Sequence, residues 1–94
     1  MSHYVYILRC SDSSYYVGSS ENVAARVEVH NQGSGSSYTK QRRPVVLIYS
    51  EECENKNAAL RRERQIKKWS RDKKEALIAN DRVKLKRLAQ SHRK

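Results

Sequence analysis

The residue most suggestive of chemistry is a glutamate placed in an apolar helical stripe. Glu63 follows Ala59 by four positions and precedes Ile66 by three, so on a helix the three residues share a face. A carboxylate on such a face needs a partner, because burying an unpaired charge is costly. Two interpretations stay open. Glu63 forms a structural salt bridge with a nearby arginine, or it binds a hard divalent cation such as Mg²⁺, which takes one or two carboxylates plus water and phosphate oxygens.

An arginine and a histidine form a second candidate pair. Arg26 and His30 are four residues apart and lie on one face of a predicted helix, with Asn22 one turn earlier. Arginine can hold phosphate oxygens in a bidentate fork and stabilise charge that develops during phosphoryl transfer. Histidine can move a proton near neutral pH. The alternative is a solvated helix face with no chemical role.

The tyrosines form the third candidate group. The chain has six tyrosines and no phenylalanine, which suggests a use for hydroxyls or stacking surfaces. Aromatic residues on strands are nevertheless mostly core, and Tyr49 is predicted to be so. Tyr4 and Tyr15 are further candidates for the core.

The charge of the chain favours a polyanionic partner. The formal net charge is +10, and residues 51–94 hold fifteen basic against seven acidic residues. Phosphate neutralisation and counterion release make nucleic acid the natural ligand for such a surface. A membrane surface and simple solubility are the competing explanations. No apolar run approaches the length of a membrane span and the N-terminus does not resemble a signal peptide, so we expect a cytoplasmic protein that does not bind membranes.

Other site classes are disfavoured by the cysteines and glycines. Cys10 and Cys53 are expected to be reduced, and their spacing relative to the histidines matches no familiar zinc pattern. The glycines are Gly18, Gly33 and Gly35, and they form neither a phosphate-binding loop nor a dinucleotide fingerprint.

A small α+β (α/β) fold must position these residues. Hydrophobic periodicity and turn residues predict the order β-β-α-β-α-α, which gives a three-stranded antiparallel sheet flanked by helices. Ser19 or Ser20 is expected to cap the first helix, and Ser70 the last. The predicted segments are a hairpin around 4–9 and 15–18, a helix over 21–31, a strand over 45–49 directly after Pro44, and helices over 56–68 and 71–79. A weaker pattern suggests a further helix over 81–91, so we predict a domain over 1–80 and a basic extension over 81–94.

Taken together, these residues resemble the GIY-YIG nuclease family. Tyr4-Val5-Tyr6 stands where the family has Gly-Ile-Tyr, and Tyr16-Val17-Gly18 stands where it has Tyr-Ile-Gly. Three further residues match the family in order and spacing: Arg26, His30 and Glu63. The resemblance covers roughly residues 3–79, and it is strongest to short stand-alone bacterial members.

The resemblance implies hydrolysis of DNA phosphodiester bonds at a site with a single Mg²⁺ or Mn²⁺ ion, in repair or recombination. Glu63 would bind the metal, and Arg26 would stabilise the transition state. Tyr6 would activate or orient the attacking water and Tyr16 would assist. His30 would transfer a proton or hold Tyr6. A tyrosine that acts as a base at neutral pH needs a pKa lowered from about 10, which a nearby cation can provide.

One family position is not matched. Several characterised members have an asparagine on the helix after the glutamate, whereas the residue twelve positions after Glu63 is Glu75, and Asn80 lies at the next helix end. Either this polar contact is replaced in the present chain, or turnover on ordinary duplex DNA is weak.

The family fold also predicts the geometry of the hairpin. Tyr6 and Tyr16 should face the same groove, and cross-strand partners share a face, so the loop must contain an odd number of residues. A three-residue loop over 12–14, or a bulge next to it, would satisfy this condition, and a plain four-residue loop would not.

The expected partner is DNA, bound by a chain expected to be monomeric. The residues predicted to contact it are polar or basic: Thr39, Lys40, Arg42, Arg43, Lys67 and Lys68. The alternative function is a nucleic-acid-binding module of the same fold that cuts little or not at all. A basic accessory protein on RNA is a third reading, although no usual RNA-stacking motif is present.

Overall fold

A computed structural model describes residues 2–80 as a three-stranded antiparallel sheet with helices on both faces. The strand order is β2-β1-β3, so the first strand is central. The elements are β1 (His3–Arg9), β2 (Tyr15–Ser20), α1 (Val23–Asn31), α2 (Ser37–Lys40), β3 (Val46–Cys53), α3 (Lys56–Lys67) and α4 (Arg71–Ile78). The predicted fold class and element order are confirmed, with the one-turn helix α2 as an unpredicted addition.

The central strand separates two layers of core. Val5 and Ile7 point to one face, where they pack with Ala59 and Ile66 of α3. Tyr6 and Leu8 point to the other face, which α1 covers. These four side chains of β1 are each at most 2% exposed. The apolar character of both alternating faces therefore reflects a strand that is covered on both sides.

The hairpin between β1 and β2 places the two candidate tyrosines on one face. Tyr6 is opposite Gly18 and Leu8 is opposite Tyr16, so Tyr6 and Tyr16 are diagonal neighbours. The Cys10 amide donates to the Ser14 carbonyl at 2.8 Å, which leaves the three-residue loop 11–13. The predicted odd loop length is confirmed, although the loop begins one residue earlier than predicted.

The first helix begins two residues later than predicted. Its N-cap is Asn22, whose side chain accepts a hydrogen bond from the Ala25 amide at 3.1 Å. The prediction that Ser19 or Ser20 caps this helix was therefore wrong, since both serines belong to β2. Asparagine is as good an N-cap as serine, so the sequence offered several equivalent starts. The helix is followed by Gly33 with φ +88°, as a left-handed terminus requires.

The third strand is longer than predicted and lies at an edge. It extends to Cys53 instead of ending at Tyr49, and it begins at Val46, after Pro44. Its polar second half still pairs with β1, where Glu52 is opposite Tyr4. Val46 is 50% exposed, as an edge strand allows. The strand was underestimated because an edge position needs ladder hydrogen bonds but not apolar side chains.

The side chain of Asn31 joins the end of α1 to the residue before β3. Its amide oxygen accepts from the Val45 amide at 2.8 Å, and its amide nitrogen donates to the Val45 carbonyl at 3.0 Å. The side chain thus bonds Val45 as a neighbouring strand would. This contact fixes the last turn of α1, which carries His30, relative to the sheet.

The two later helices match their predicted positions. The side chain of Ser70 accepts from the Lys73 amide at 3.2 Å and caps α4 as predicted. Cys10 and Cys53 are not joined to each other. Within residues 2–80, no helix has the length and apolar character needed to cross a bilayer. The helix predicted over 81–91 lies outside the described residues.

Candidate active site

Three of the five candidate residues are in contact on one face of the sheet. The hydroxyl of Tyr6 lies 2.9 Å from His30 Nε2, and Tyr6 is only 2% exposed. The ring of Tyr16 meets the ring of His30 edge-on, with centroids 5.0 Å apart. The hairpin supplies the tyrosines and α1 supplies the histidine, so the distant sequence motifs converge as the resemblance implies.

Two glycines provide the space in which these rings lie. A Cβ atom added to Gly18 would stand 2.5 Å from the Tyr6 hydroxyl oxygen. One added to Gly35 would stand 2.1 Å from His30 Nδ1. Both distances are far below normal van der Waals contact, so neither position can carry a side chain without displacing a ring. Gly18 belongs to the motif that resembles the family, whereas the sequence assigned no role to Gly35.

Burial controls the protonation of the tyrosine and the histidine. It raises the pKa of Tyr6 well above the usual value, and the opposing effect of the Arg26 charge is smaller. Burial, followed by repulsion from Arg26, lowers the pKa of His30. The Arg26 charge lowers the pKa of Tyr6, as expected of a nearby cation, but desolvation has the larger effect and the net direction is upward. At neutral pH both groups are uncharged.

The lowered pKa of His30 predicts a dependence of stability on pH. Between the folded pKa and the ordinary value of 6.5, the unfolded chain binds a proton that the folded chain does not. The contribution of His30 is therefore complete above pH 6.5 and is lost as pH falls through this interval, with a slope of at most about 1.4 kcal/mol per pH unit. Urea unfolding at several pH values between 7 and 5 should show this slope reduced in His30→Gln. Parallel slopes for the two proteins would contradict the assignment.

Arg26 is exposed beside this group, on the same helix as His30. Within residues 2–80 its guanidinium has no salt-bridge partner, although it is close enough to influence the pKa of both Tyr6 and His30. It lines an open cleft of about 480 Å³. The other residues of the cleft are His3, Ser19, Ser20, Glu21, Asn22, Lys56 and Leu60. An arginine that faces such a cleft can bind an anion without first breaking an ion pair.

Glu63 belongs to α3, which packs on the face of the sheet opposite to Tyr6. One carboxylate oxygen accepts from the Ser19 hydroxyl at 2.8 Å, and the other lies 2.7 Å from the Lys67 ammonium. The side chain is 16% exposed. Ser19 belongs to the edge strand β2, and the Lys67 ammonium lies 6.0 Å from the centroid of the Tyr16 ring. Glu63 is therefore at the β2 edge, near the tyrosines but not hydrogen-bonded to them, and its ion-pair partner is a lysine instead of the arginine considered from sequence.

The donor set around Glu63 is compatible with a hydrated divalent cation. Within residues 2–80 there is no group of three or more acidic, histidine or cysteine side chains that could enclose an ion. Magnesium does not require such a group, since it keeps several waters and takes one or two carboxylates plus substrate phosphates. The Lys67 ammonium shows that the carboxylate already accommodates a positive charge at one oxygen.

Thr39 has a different position from the one that its predicted role requires. It was predicted to contact nucleic acid, yet it is fully buried at 0% exposure. Its hydroxyl oxygen lies 2.8 Å from His30 Nδ1. Thr39 therefore acts inside the protein, where it holds the histidine from the side opposite Tyr6.

Arg42 is engaged in contacts within the protein. Its guanidinium lies 3.8 Å from the centroid of the Tyr38 ring and donates to Asp12 at 3.0 Å. Tyr38 in turn stacks on Tyr16, with centroids 6.1 Å apart. Arg42, which was predicted to contact nucleic acid, therefore stacks on Tyr38. Tyr38 stacks on Tyr16, which contacts His30 in the candidate site.

Arg43 bonds the ends of two helices. It donates to the Lys40 carbonyl at 3.0 Å and to the Asn31 carbonyl at 3.3 Å. These are the last residues of α2 and α1, where an arginine satisfies free carbonyl groups. Of the six residues predicted to bind nucleic acid, Lys40 and Lys68 are exposed, and neither forms a salt bridge within the described part of the chain. Lys67 forms an ion pair with Glu63.

Glu75, twelve positions after Glu63, is engaged in contacts within the protein. It accepts hydrogen bonds from the Tyr15 hydroxyl at 3.1 Å and from Arg71 at 3.2 Å. Asn80 adopts φ +57° after the last turn of α4. Both residues have local structural roles, in tying α4 to the hairpin and in ending α4.

Comparison with known proteins identifies the family of the chain. The GIY-YIG catalytic domain family matches residues 2–76. The chain belongs to the GIY-YIG family of nuclease domains. More particularly, it is 56% identical over 77 residues to a UPF0213 protein of Staphylococcus aureus strain Mu3, a match that covers 82% of this chain and 94% of the relative.

Two solved structures have the same fold. The UPF0213 protein BH0048 from Bacillus halodurans is 41% identical with a TM-score of 0.56, over 86% of each chain. The protein EF2693 from E. faecalis is 34% identical with a TM-score of 0.59, over 88% of each chain. Both were determined in solution by NMR.

Proposed function

We propose that this protein is a metal-dependent endonuclease that hydrolyses DNA phosphodiester bonds. The observation that supports it most directly is the buried contact between Tyr6 and His30, at 2.9 Å, beside an exposed Arg26. If the tyrosine–histidine pair served only to stabilise the fold, an arginine facing the open cleft beside it would not be needed. The formal charge of +10 suits a phosphate-rich substrate.

The chain itself supplies proton transfer and charge stabilisation. A Mg²⁺ or Mn²⁺ ion held by Glu63 would supply Lewis-acid polarisation of the scissile phosphate. Tyr6 Oη takes a proton from the attacking water while its own proton moves to His30 Nε2. This relay removes the need for a tyrosinate, which the raised pKa of Tyr6 disfavours. Arg26 binds the phosphate oxygens as negative charge develops on them, and the Tyr16 ring limits the space next to His30.

A binding module that does not cut is the second candidate. The observation in its favour is Glu75, which bonds Tyr15 and Arg71 where several nucleases of the family have an asparagine. Such a module would bind DNA through its basic surface and would have no use for the Glu63 carboxylate.

A cleavage assay with chelation and Arg26→Ala separates the two. Supercoiled plasmid, a branched duplex and single strands are incubated with Mg²⁺, with Mn²⁺, or with excess chelator. We expect cutting only with metal, and a loss of about 10²-fold or more in Arg26→Ala, because removing one transition-state donor costs that much. The control is Arg61→Ala, which removes a charge from the outer face of α3. If the wild type and both variants bind every substrate and cut none, the protein is a binding module and not a nuclease. Preferential cutting of the branched duplex would support a role in repair or recombination.

A further inference from the structure

The hydrogen bonds of the site continue from His30 into the one-turn helix α2. His30 Nδ1 lies 2.8 Å from Thr39 Oγ1, opposite the nitrogen that faces Tyr6. Thr39 Oγ1 lies 3.3 Å from the Ser36 carbonyl oxygen, to which it donates, and 2.9 Å from the Ser36 hydroxyl. His30 and Thr39 are each at most 1% exposed. Bulk water therefore has little access to the hydrogen bond between the imidazole and the Thr39 hydroxyl.

The hydrogens available on Tyr6, His30 and Thr39 determine which group donates in each of these hydrogen bonds. In residues 2–80, the one side-chain partner of the Tyr6 hydroxyl is His30 Nε2, so Tyr6 must donate there or bury its hydrogen without an acceptor. A neutral imidazole that accepts at Nε2 carries its hydrogen at Nδ1. Thr39 Oγ1 must then accept from Nδ1, and its own hydrogen is left for Ser36, whose carbonyl oxygen and hydroxyl are both within hydrogen-bond distance.

We propose that Thr39 is a positioning residue that holds His30 in the tautomer with its hydrogen on Nδ1, leaving Nε2 free to accept the proton of Tyr6. The catalytic consequence of this arrangement rests on the proposed nuclease function, whereas the arrangement itself does not. When His30 becomes protonated, the same contact retains the hydrogen bond at Nδ1. A histidine whose ring could turn, or whose hydrogen moved to Nε2, could not accept from Tyr6.

Thr39 is held in place because it lies in the capped helix α2. The Ser36 hydroxyl accepts from the Thr39 amide at 3.1 Å, so it caps the single turn that carries Thr39. Gly35, directly before this cap, allows the loop to lie against the His30 ring. Gly35, Ser36 and Thr39 therefore together support the histidine from the Nδ1 side.

The test is to measure the tautomer of His30 by ¹⁵N NMR in the free protein near neutral pH. The signal of His30 is assigned with His30→Gln, since the chain has only three histidines. We expect the hydrogen on Nδ1 in the wild type and in Thr39→Ser, which keeps the hydroxyl. Thr39→Val, which keeps the shape but loses the hydroxyl, should lose this tautomer. Ser37→Ala removes an exposed neighbouring hydroxyl from α2 and is the matched control.

Cleavage by the same variants gives the second readout. We expect a fall in kcat on the order of 10²-fold in Thr39→Val, recovered by Thr39→Ser, as for loss of correctly placed acid–base catalysis. A hydrogen on Nε2 in the wild type, or an unchanged tautomer in Thr39→Val, overturns the proposal. If Thr39→Val does not fold, the wild-type and Thr39→Ser spectra decide. If no protein cuts DNA, the proposed function fails while the tautomer measurement still decides the role of Thr39.

Discussion

Replacement of Glu63 by glutamine should abolish cleavage and leave the fold intact. The amide has the shape of the carboxylate and can still accept from Ser19, which now bonds it at 2.8 Å. It carries no charge, so it binds a divalent cation poorly and loses the ion pair with Lys67. A bound metal contributes several kcal/mol of transition-state stabilisation, so we expect a loss of roughly 10³-fold or more. Single-turnover cleavage of a labelled duplex measures this loss.

The matched control is Glu51→Gln, which removes a partly buried, ion-paired carboxylate elsewhere. Glu51 pairs with Arg62 at 2.9 Å, on the β3 side of the sheet. It should cut like the wild type, and both variants should melt within a few degrees of it. Titration of Mn²⁺ should show binding that Glu63→Gln loses and Glu51→Gln keeps. Cleavage by Glu63→Gln at the wild-type rate would rule out Glu63 as the metal ligand of the proposed mechanism.

A methyl group at Gly35 should damage both stability and activity. The added carbon would stand 2.1 Å from His30 Nδ1, so either the loop or the imidazole must move. Overpacking of this kind costs about 1–3 kcal/mol, which corresponds to a fall in Tm of roughly 5–20 °C for a domain of this size. Displacement of the ring breaks its contact with Tyr6, so cleavage should fall on the order of 10²-fold even well below the melting temperature.

Ser34→Ala is the control for the loop, since Ser34 is the exposed neighbour of Gly35. It should melt and cut like the wild type. Thermal unfolding and cleavage at a temperature where Gly35→Ala is fully folded distinguish instability from misplacement of the histidine. A Gly35→Ala protein with wild-type stability would show that the loop relaxes freely, in contrast to the tight packing described above.

The elements were predictable wherever local patterns decide them. The helical spacing of Ala59 and Ile66 located α3, and Ser70 marked the start of α4. The sequence did not reveal the full length of β3, because its second half is held by ladder hydrogen bonds on an edge strand. It also missed α2, because a single turn has too little periodicity to be distinguished from a loop.

The candidate site was predictable only in its reacting groups. Family spacing selected Tyr6, His30 and Glu63, but spacing carries no information on which neighbours hold them. Thr39 and Gly35 occur in a segment rich in serine and glycine, which looks like a mobile loop until the position of the imidazole is known. Ser19 was considered only as a helix cap, since its bond to Glu63 joins residues 44 positions apart.

The position of β2 at the sheet edge has a consequence for self-association. This strand carries Tyr16 on one face and the bond from Ser19 to Glu63 on the other, so both halves of the site meet across its outer side. Within residues 2–80, β2 pairs with β1 alone, and an edge of this kind is where a strand from a second copy can add. A dimer formed along β2 would cover the junction of the two halves, so strand addition at this edge would compete with access of a polynucleotide.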